Sequence, residues 1–350
     1  MPCRGVRTTM KTHRVPRQAL MVWGLWCCLP VHSQAGSEFP RTPWGGYPYP
    51  ASYDAEIADA DVHRVLFENG NIMFLEVANP PGLDVRMHGH PYPSVFARDT
   101  GRGEGVAGIP LQESHLDPTS PFAGKGWGQG PAPAGLQFPR CSTAPPEAPH
   151  KPINHGSVPV HFYRIEFRRL DGDDYRTHWK DWYPWMSTPG KLSPKPQHES
   201  MPGDKFSESW PYPQAYDSLL AAPNNYRLLY EDGHVRLLEV TVRPGEITPM
   251  HGNPYPSVMA FNTAAVDQRE IIDTKLAGEG PAPSVFNMTA PTCATVAPQP
   301  PHSMRNNGVV PLHYYRIEFK RVDGDEFASH WREWYPWMQY MQNMRSSPAQ

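Results

Sequence analysis

Apolar and polar residues alternate with a period close to two over much of this chain. In Val62–Val77 and Asn225–Val240 short apolar runs flank Asn69-Gly70 and Asp232-Gly233, and such dipeptides between alternating segments signal hairpins. A second turn, Asn154-His155-Gly156 or Asn306-Asn307-Gly308, precedes the strand-like runs His161–Phe167 and His313–Phe319. The period changes at only two places. Tyr175, Trp179 and Trp182, like Phe327, Trp331 and Trp334, fall at i, i+4, i+7, the stripe of a short helix packed on a core. There are 43 prolines in 350 residues, against a usual share of ~5%. Proline lacks an amide donor and breaks helices and central strands, so long helical bundles are excluded and a turn-rich all-β protein is expected.

The pattern occurs twice. Residues 47–98 align without a gap to 210–261 with 24 of 52 positions identical, and 141–186 align to 293–338 with 26 of 46 identical. One domain has therefore been copied. The boundaries that follow are a first domain at 47–186, a Pro- and Ser-rich linker at 187–209, a second domain at 210–338 and a tail at 339–350. Between the matched blocks, 99–140 and 262–292 differ in length and are rich in Gly and Pro, as loops that set specificity often are.

Ahead of the first copy, Arg4, Arg7, Lys11, Arg14 and Arg17 precede an apolar stretch, Ala19–Pro30, and the small residues of Ser33-Gln34-Ala35. This reads as a signal peptide over 1–35, and predicts a secreted or periplasmic protein. The stretch is short of the ~20 residues that span a bilayer, so no stable membrane anchor is expected. The net charge of −3 offers no footprint for nucleic acid. Past residue 35 only Cys141 and Cys293 remain, at equivalent positions of the two copies, either joined or left as two buried thiols.

The histidines carry the candidate chemistry. His88-Gly89-His90 follows Gly82, and on an extended strand two such imidazoles point to one face, where neutral nitrogens can share a metal. Further on, Pro149-His150 precedes Asn154. Gly-X5-His-X-His followed by Pro-His-X3-Asn resembles the paired motifs of the cupin superfamily, and the resemblance covers both copies, as in a bicupin. It implies two tandem double-stranded β-helix (jelly-roll) barrels, each followed by a short aromatic helix, with the histidines inside holding a divalent metal.

This chain departs from the common cupin pattern. The glutamate expected after the second histidine is replaced by Ser94 and Val95, and by Ser257 and Val258 in the second copy. The first copy thus keeps His88, His90 and His150 as metal ligands, similar to the three-histidine cupin oxygenases, and Fe(II) is the first expectation, with Zn, Mn, Ni or Cu as alternatives. The second keeps His251 and His302 but has Asn253 opposite His90, a poor donor beside imidazole, and its site reads as degenerate. His155 reads as a turn residue, His161 and His313 as core or supporting residues, and His178 and His330 as structural. Glu76 and Glu239 on one strand and Arg164 and Arg316 on another recur in both copies, in keeping with a structural ion pair.

Strand parity places Asp84 and Arg86 on the face of His88 and His90. Arg86, with Tyr92 after the histidine pair, is a candidate substrate contact for a carboxylate; the alternative is an Asp84–Arg86 contact or a partner on the neighbouring strand. The sequence therefore points to a metal-dependent, dioxygenase-like bicupin acting on a small molecule, or to a metal-dependent lyase or isomerase. A non-catalytic binder of a small molecule or sugar, which the lack of an evident general base favours, is the competing reading. A homodimer is compatible with any of these.

Overall fold

The computed structural model describes residues 47–100, 111–115, 139–187, 210–263, 271–275, 291–324 and 326–346. The signal-peptide reading, the linker from 188 onward and most of the two length-variable loops lie outside the described residues. The first copy contributes β1 (His63–Glu68), β2 (Ile72–Asn79), β3 (His88–His90), β4 (Ser94–Arg98), β5 (Leu111–His115), β6 (Arg140–Ala144), β7 (Glu147–Asn154) and β8 (Val160–Phe167). The second repeats them as β9 (Tyr226–Glu231), β10 (Val235–Val242), β11 (His251–Asn253), β12 (Ser257–Phe261), β13 (Ile271–Lys275), β14 (Thr292–Val296), β15 (Gln299–Asn306) and β16 (Leu312–Phe319).

Each copy folds into a five-stranded antiparallel sheet, β1-β2-β8-β4-β6 or β9-β10-β16-β12-β14, and a three-stranded sheet, β3-β7-β5 or β11-β15-β13. The expected hairpins are present: Asn69 Oδ1 accepts from the amides of Asn71 and Ile72, and Asp232 Oδ1 from those of His234 and Val235. Gly82 and Gly245 sit at φ 68° and 76°, left-handed values that cost glycine nothing. Those turns need the glycine of the Gly-X5-His motif.

All eight residues of β2 and of β10 are buried, where alternation alone predicts a wet outer face. The outer faces of the two large sheets pack on each other. Phe74, Val95, Ile165 and Phe167 of the first copy share one apolar cluster with Leu237, Val258, Ile317 and Phe319 of the second. The barrels therefore share a core, and a disulfide between Cys141 on β6 and Cys293 on β14 ties the sheet edges together.

The aromatic helices are exchanged between the copies. Besides the single turns α1 (Ala55–Ala58) and α3 (Ser218–Ala221), the helices are α2 (Tyr175–Trp182), α4 (Phe327–Trp334) and α5 (Pro336–Ser346). Tyr175 and Tyr183, in and just after α2, cluster with Val310 of the second copy, while Phe327, Trp331 and Met338 cluster with Ala78 and Val158 of the first. The segment from 339, expected as a tail, continues α5 along barrel one, where Met341 joins Val62, Leu83 and Val85. Among the described residues no helix is long and apolar enough to cross a membrane.

Candidate metal centre

Barrel one gathers four imidazoles. His88 on β3 lies directly across the strand pair from His150 on β7, and their ring centres are 4.7 Å apart. His90 stands 5.3 Å from His88 and 5.5 Å from His150. The fourth is His63, at the start of β1, 4.3 Å from His88 and 5.2 Å from His90. His63, His88 and His90 each offer one ligand nitrogen within 4.8 Å of the others, so the tightest trio contains His63, with His150 beside it. Gly89 allows the pair to sit this deep: a side chain there would collide with the Tyr47 hydroxyl, which donates to the Glu147 carbonyl at 2.9 Å.

Hydrogen bonds set the tautomers. Nδ1 of His88 lies 2.8 Å from the Arg86 carbonyl, and Nδ1 of His150 lies 2.9 Å from that of Ala148. A neutral ring donating from Nδ1 keeps its lone pair on Nε2, the atom a metal needs. Nδ1 of His90 meets Glu166 Oε1 at 2.7 Å, the carboxylate–imidazole support common behind metal ligands. Burial, helped by the neighbouring Arg164 and His150, pushes His63 down to about 3. Burial also holds His88 and His90 well below the usual imidazole value, and pushes Glu166 up to about 8 despite Arg164.

The unmet donor set fits a cation: His63 Nδ1 and Glu166 Oε2 are buried with no hydrogen-bond partner among the described residues, while Arg164 meets Glu147 at 2.7 Å and Glu166 at 3.1 Å.

Barrel two differs around these groups. Arg236 stands where barrel one has Met73, and it pairs with Asp217 at 3.0 Å and with Glu318; Arg316 also meets Glu318, and Gln299 replaces Glu147. Tyr226 replaces His63, and its hydroxyl sits 2.8 Å from Nε2 of His251, the very lone pair a metal would use. Asn253 donates to Gln299 at 3.3 Å, while the rings of His251 and His302 remain 4.5 Å apart. Burial, with His302 adding to it, pushes His251 down to about 3.

Beside the imidazoles of barrel one opens a cavity walled by Val77, Phe96, Val160 and Phe162, with Asn79, Arg98, Glu147 and Arg164 as its polar residues. In barrel two Val242 and Phe261 replace Asn79 and Arg98, and they join Tyr226, Met259, Leu312 and Tyr314 in one apolar cluster. Hydrophobic core there occupies the positions that line the cavity in barrel one.

Three sequence expectations do not hold. Arg86 is exposed, and its side chain reaches the Ala58 carbonyl at 3.4 Å rather than the cavity. Strand β3 begins only at His88, so strand parity does not extend back to Arg86; Asp84 pairs with Lys151 instead. Tyr92 is buried outside the cavity, with the Arg168 guanidinium 5.9 Å from its ring centre. Glu76 and Arg164 do not pair either: Glu76 meets Arg64 and His161. What the motifs missed, a subtraction of the two copies would have flagged: His63 against Tyr226, Arg98 against Phe261, Glu147 against Gln299.

No protein-family model and no curated protein matches the chain. Among solved structures, a cupin domain from Bordetella pertussis Tohama I is similar over 27% of this chain and 92% of its own, at 16% identity and a TM-score of 0.22. Oxalate decarboxylase from Bacillus subtilis, a protein with Mn(II) centres, is similar over 72% of this chain and 69% of its own, at 15% identity and a TM-score of 0.23. A cupin 2 conserved barrel domain protein from Leptotrichia buccalis covers 74% and 88%, at 7% identity and a TM-score of 0.21. Scores this low leave the fold to the strands themselves. Two antiparallel barrels of identical strand order, each presenting a histidine on its third strand opposite a histidine on its seventh, make this chain a tandem all-β, jelly-roll-like fold.

Proposed function

We propose that barrel one is a metal-dependent enzyme site: His63, His88, His90 and His150 hold one divalent transition metal, and a small organic molecule reacts in the adjoining cavity. The observation that carries this is the cluster of buried imidazoles in which His63 Nδ1 and Glu166 Oε2 have no hydrogen-bond partner among the described residues, set against a second barrel where Tyr226 caps His251 and Arg236 pairs with Asp217 and Glu318. Nitrogen donors without a carboxylate suit Fe(II), Ni, Cu or Zn better than hard cations, and we take Fe(II) and dioxygenase-like chemistry as the leading case. A bound redox-active ion would supply Lewis acidity and electron transfer. The chain supplies the rest. Glu166 fixes the tautomer of His90, the apolar walls exclude water, and Glu147, held by Arg164, is a carboxylate able to take a proton from a bound molecule. That base comes from β7, outside the histidine motif in which none is visible. The inter-barrel disulfide supports an oxidising compartment, in keeping with the export signal read at 1–35.

The test is to strip the protein with a chelator, reload it with single metals and incubate it in air with a panel of small organic acids, following oxygen uptake and product mass. Oxygen consumption with Fe(II), lost in His88→Ala, is the expected result. Product without oxygen uptake would replace the oxygenase by a lyase or isomerase on the same ligands, and failure to take up any metal would overturn the reading.

A further inference from the structure

We infer that the joint by which the exchanged helices α4 and α5 dock on barrel one is held closed by a proton on the Asp99–Asp323 pair, and loosens where that proton is lost. The joint works this way with or without a metal in the barrel.

Both helix exchanges use the same parts. Asp171 and Tyr183 of the first copy meet His313 of barrel two, and Asp323 and Tyr335 of the second copy meet His161 of barrel one. In each joint the tyrosine hydroxyl donates to the aspartate, at 2.9 Å from Tyr183 and 2.8 Å from Tyr335. In each the histidine reaches a glutamate of its own barrel, His313 to Glu239 at 3.0 Å and His161 to Glu76 at 3.1 Å. The residue just past the fourth strand completes the joint, and there the copies differ. Asn262 donates from its side chain to the Tyr183 hydroxyl at 3.1 Å while its carbonyl accepts the Asp171 amide at 2.9 Å. Barrel one has Asp99 at that place. Its carbonyl accepts the Gly324 amide at 2.8 Å, and Thr100 bridges to Gly324, which sets Asp99 beside Asp323.

An ionised Asp99 has no hydrogen to offer where Asn262 offers its amide, whereas a protonated carboxyl is an O–H donor. Asp99 and Asp323 are 1% and 3% exposed, and two carboxylates sharing a buried site favour holding a proton between them. Asp99 Oδ1 has no hydrogen-bond partner among the described residues and lies 3.5 Å from His161 Nδ1. The groups facing Asp323 are Asp99, His161 on β8, Tyr335, and Arg321 at 2.9 Å on its own segment. Behind them stand Glu76, Tyr163 and His234, the last stacked on Tyr335. Burial disfavours the charge on His161, but Asp99 and Glu76 raise it to about 10, so it stays a cation through neutrality. Burial, with Asp99 adding to it, pushes Asp323 up to about 7, while burial pushes Asp171, beside Asn262, only to about 6. In a released joint Asp323 returns towards the ordinary carboxylate value, so the closed form binds the extra proton. Opening is therefore favoured as the pH rises towards 7, and levels off above it. Because α5 carries Arg345 to Asp59, just ahead of His63, the closed joint also braces the histidine end of barrel one.

Hydrogen exchange of the full chain, read by mass spectrometry from about pH 5 to 8 and corrected for the intrinsic pH dependence of amide exchange, tests this with α2 as the internal reference. The gap between about 7 for Asp323 and about 6 for Asp171 is worth about tenfold in an equilibrium, so α4 and α5 should lose ~tenfold more protection than α2 across that range. Asp99→Asn, which copies the sister joint, should remove the excess, and Asn262→Asp should confer it on α2. Equal losses in the two segments of the wild type, or an excess that survives Asp99→Asn, would overturn the inference. The wild-type comparison needs no substitution, so a variant that fails to fold leaves the test standing.

Discussion

The difference between the two barrels comes down to a handful of side chains. Tyr226, where barrel one has His63, caps the Nε2 lone pair of His251 with its hydroxyl, and Arg236, where barrel one has Met73, pairs with Asp217 and Glu318. Buried neutral imidazoles carry a pH signature. Below pH ~6.5 the unfolded chain binds protons on His63, His88, His90 and His251 that the fold resists, because burial lowers their affinity. Their contribution is present above that pH and is lost as the pH falls below it, at ~1.4 kcal/mol per unit for each group, and for His63 and His251 the loss runs down to about 3. His161 has the opposite sign. Burial disfavours its charge, but Asp99 and Glu76 overcome this and raise it to about 10, so its contribution is full below pH ~6.5 and is lost as the pH climbs towards 10. Urea midpoints of the metal-free protein should therefore fall on both sides of neutrality. A profile flat from pH 7 to 5 would mean that these rings are not buried neutral. Read from sequence alone, His88, His90 and His150 are legible because they sit in a motif, whereas His63 lies on a strand whose only signal is its contrast with Tyr226. Arg86 misled because alternation was extended past the start of a three-residue strand.

At the scale of elements, the hairpins, the last strands and the aromatic helices follow from turn residues and periodicity, and all are found. Where the helices dock was hidden, since an amphipathic stripe specifies a buried face but not its partner. Each helix lies on the barrel it did not come from, and α5 reaches the strand that carries His63. Its Arg345 pairs with the buried Asp59 at 2.6 Å, and the Asp59 carbonyl accepts the His63 amide. Arg345→Ala would leave that carboxylate buried without its cation, at a cost of ~3 kcal/mol, and should loosen metal binding in barrel one. Thermal melts and metal titration of the variant would check it. An unchanged melting temperature together with unchanged affinity would show that the exchanged helix does not brace the site. The disulfide adds a second tie between the copies, worth ~5 kcal/mol in the chain-entropy view of a loop this long, across a sequence separation of 152.

For the whole molecule, duplication has produced one barrel with a cavity beside its histidines and one filled barrel that share a core. The shared core was not legible, because strands buried on both faces and strands buried on one face differ only in whether the outer positions are apolar. Here Phe74, Ile165, Leu237 and Ile317 are the outer residues that meet. The filled barrel keeps the fold's motif while its interior has become hydrophobic core, so two copies so alike differ in what their interiors can hold. The direct measurement is metal content per chain of the purified protein, alongside His63→Ala, His150→Ala and His251→Ala. One equivalent in the wild type, lost with either of the first two and kept with the third, is the expected result. Two equivalents, none, or a loss confined to His251→Ala would contradict the assignment of the metal centre to barrel one.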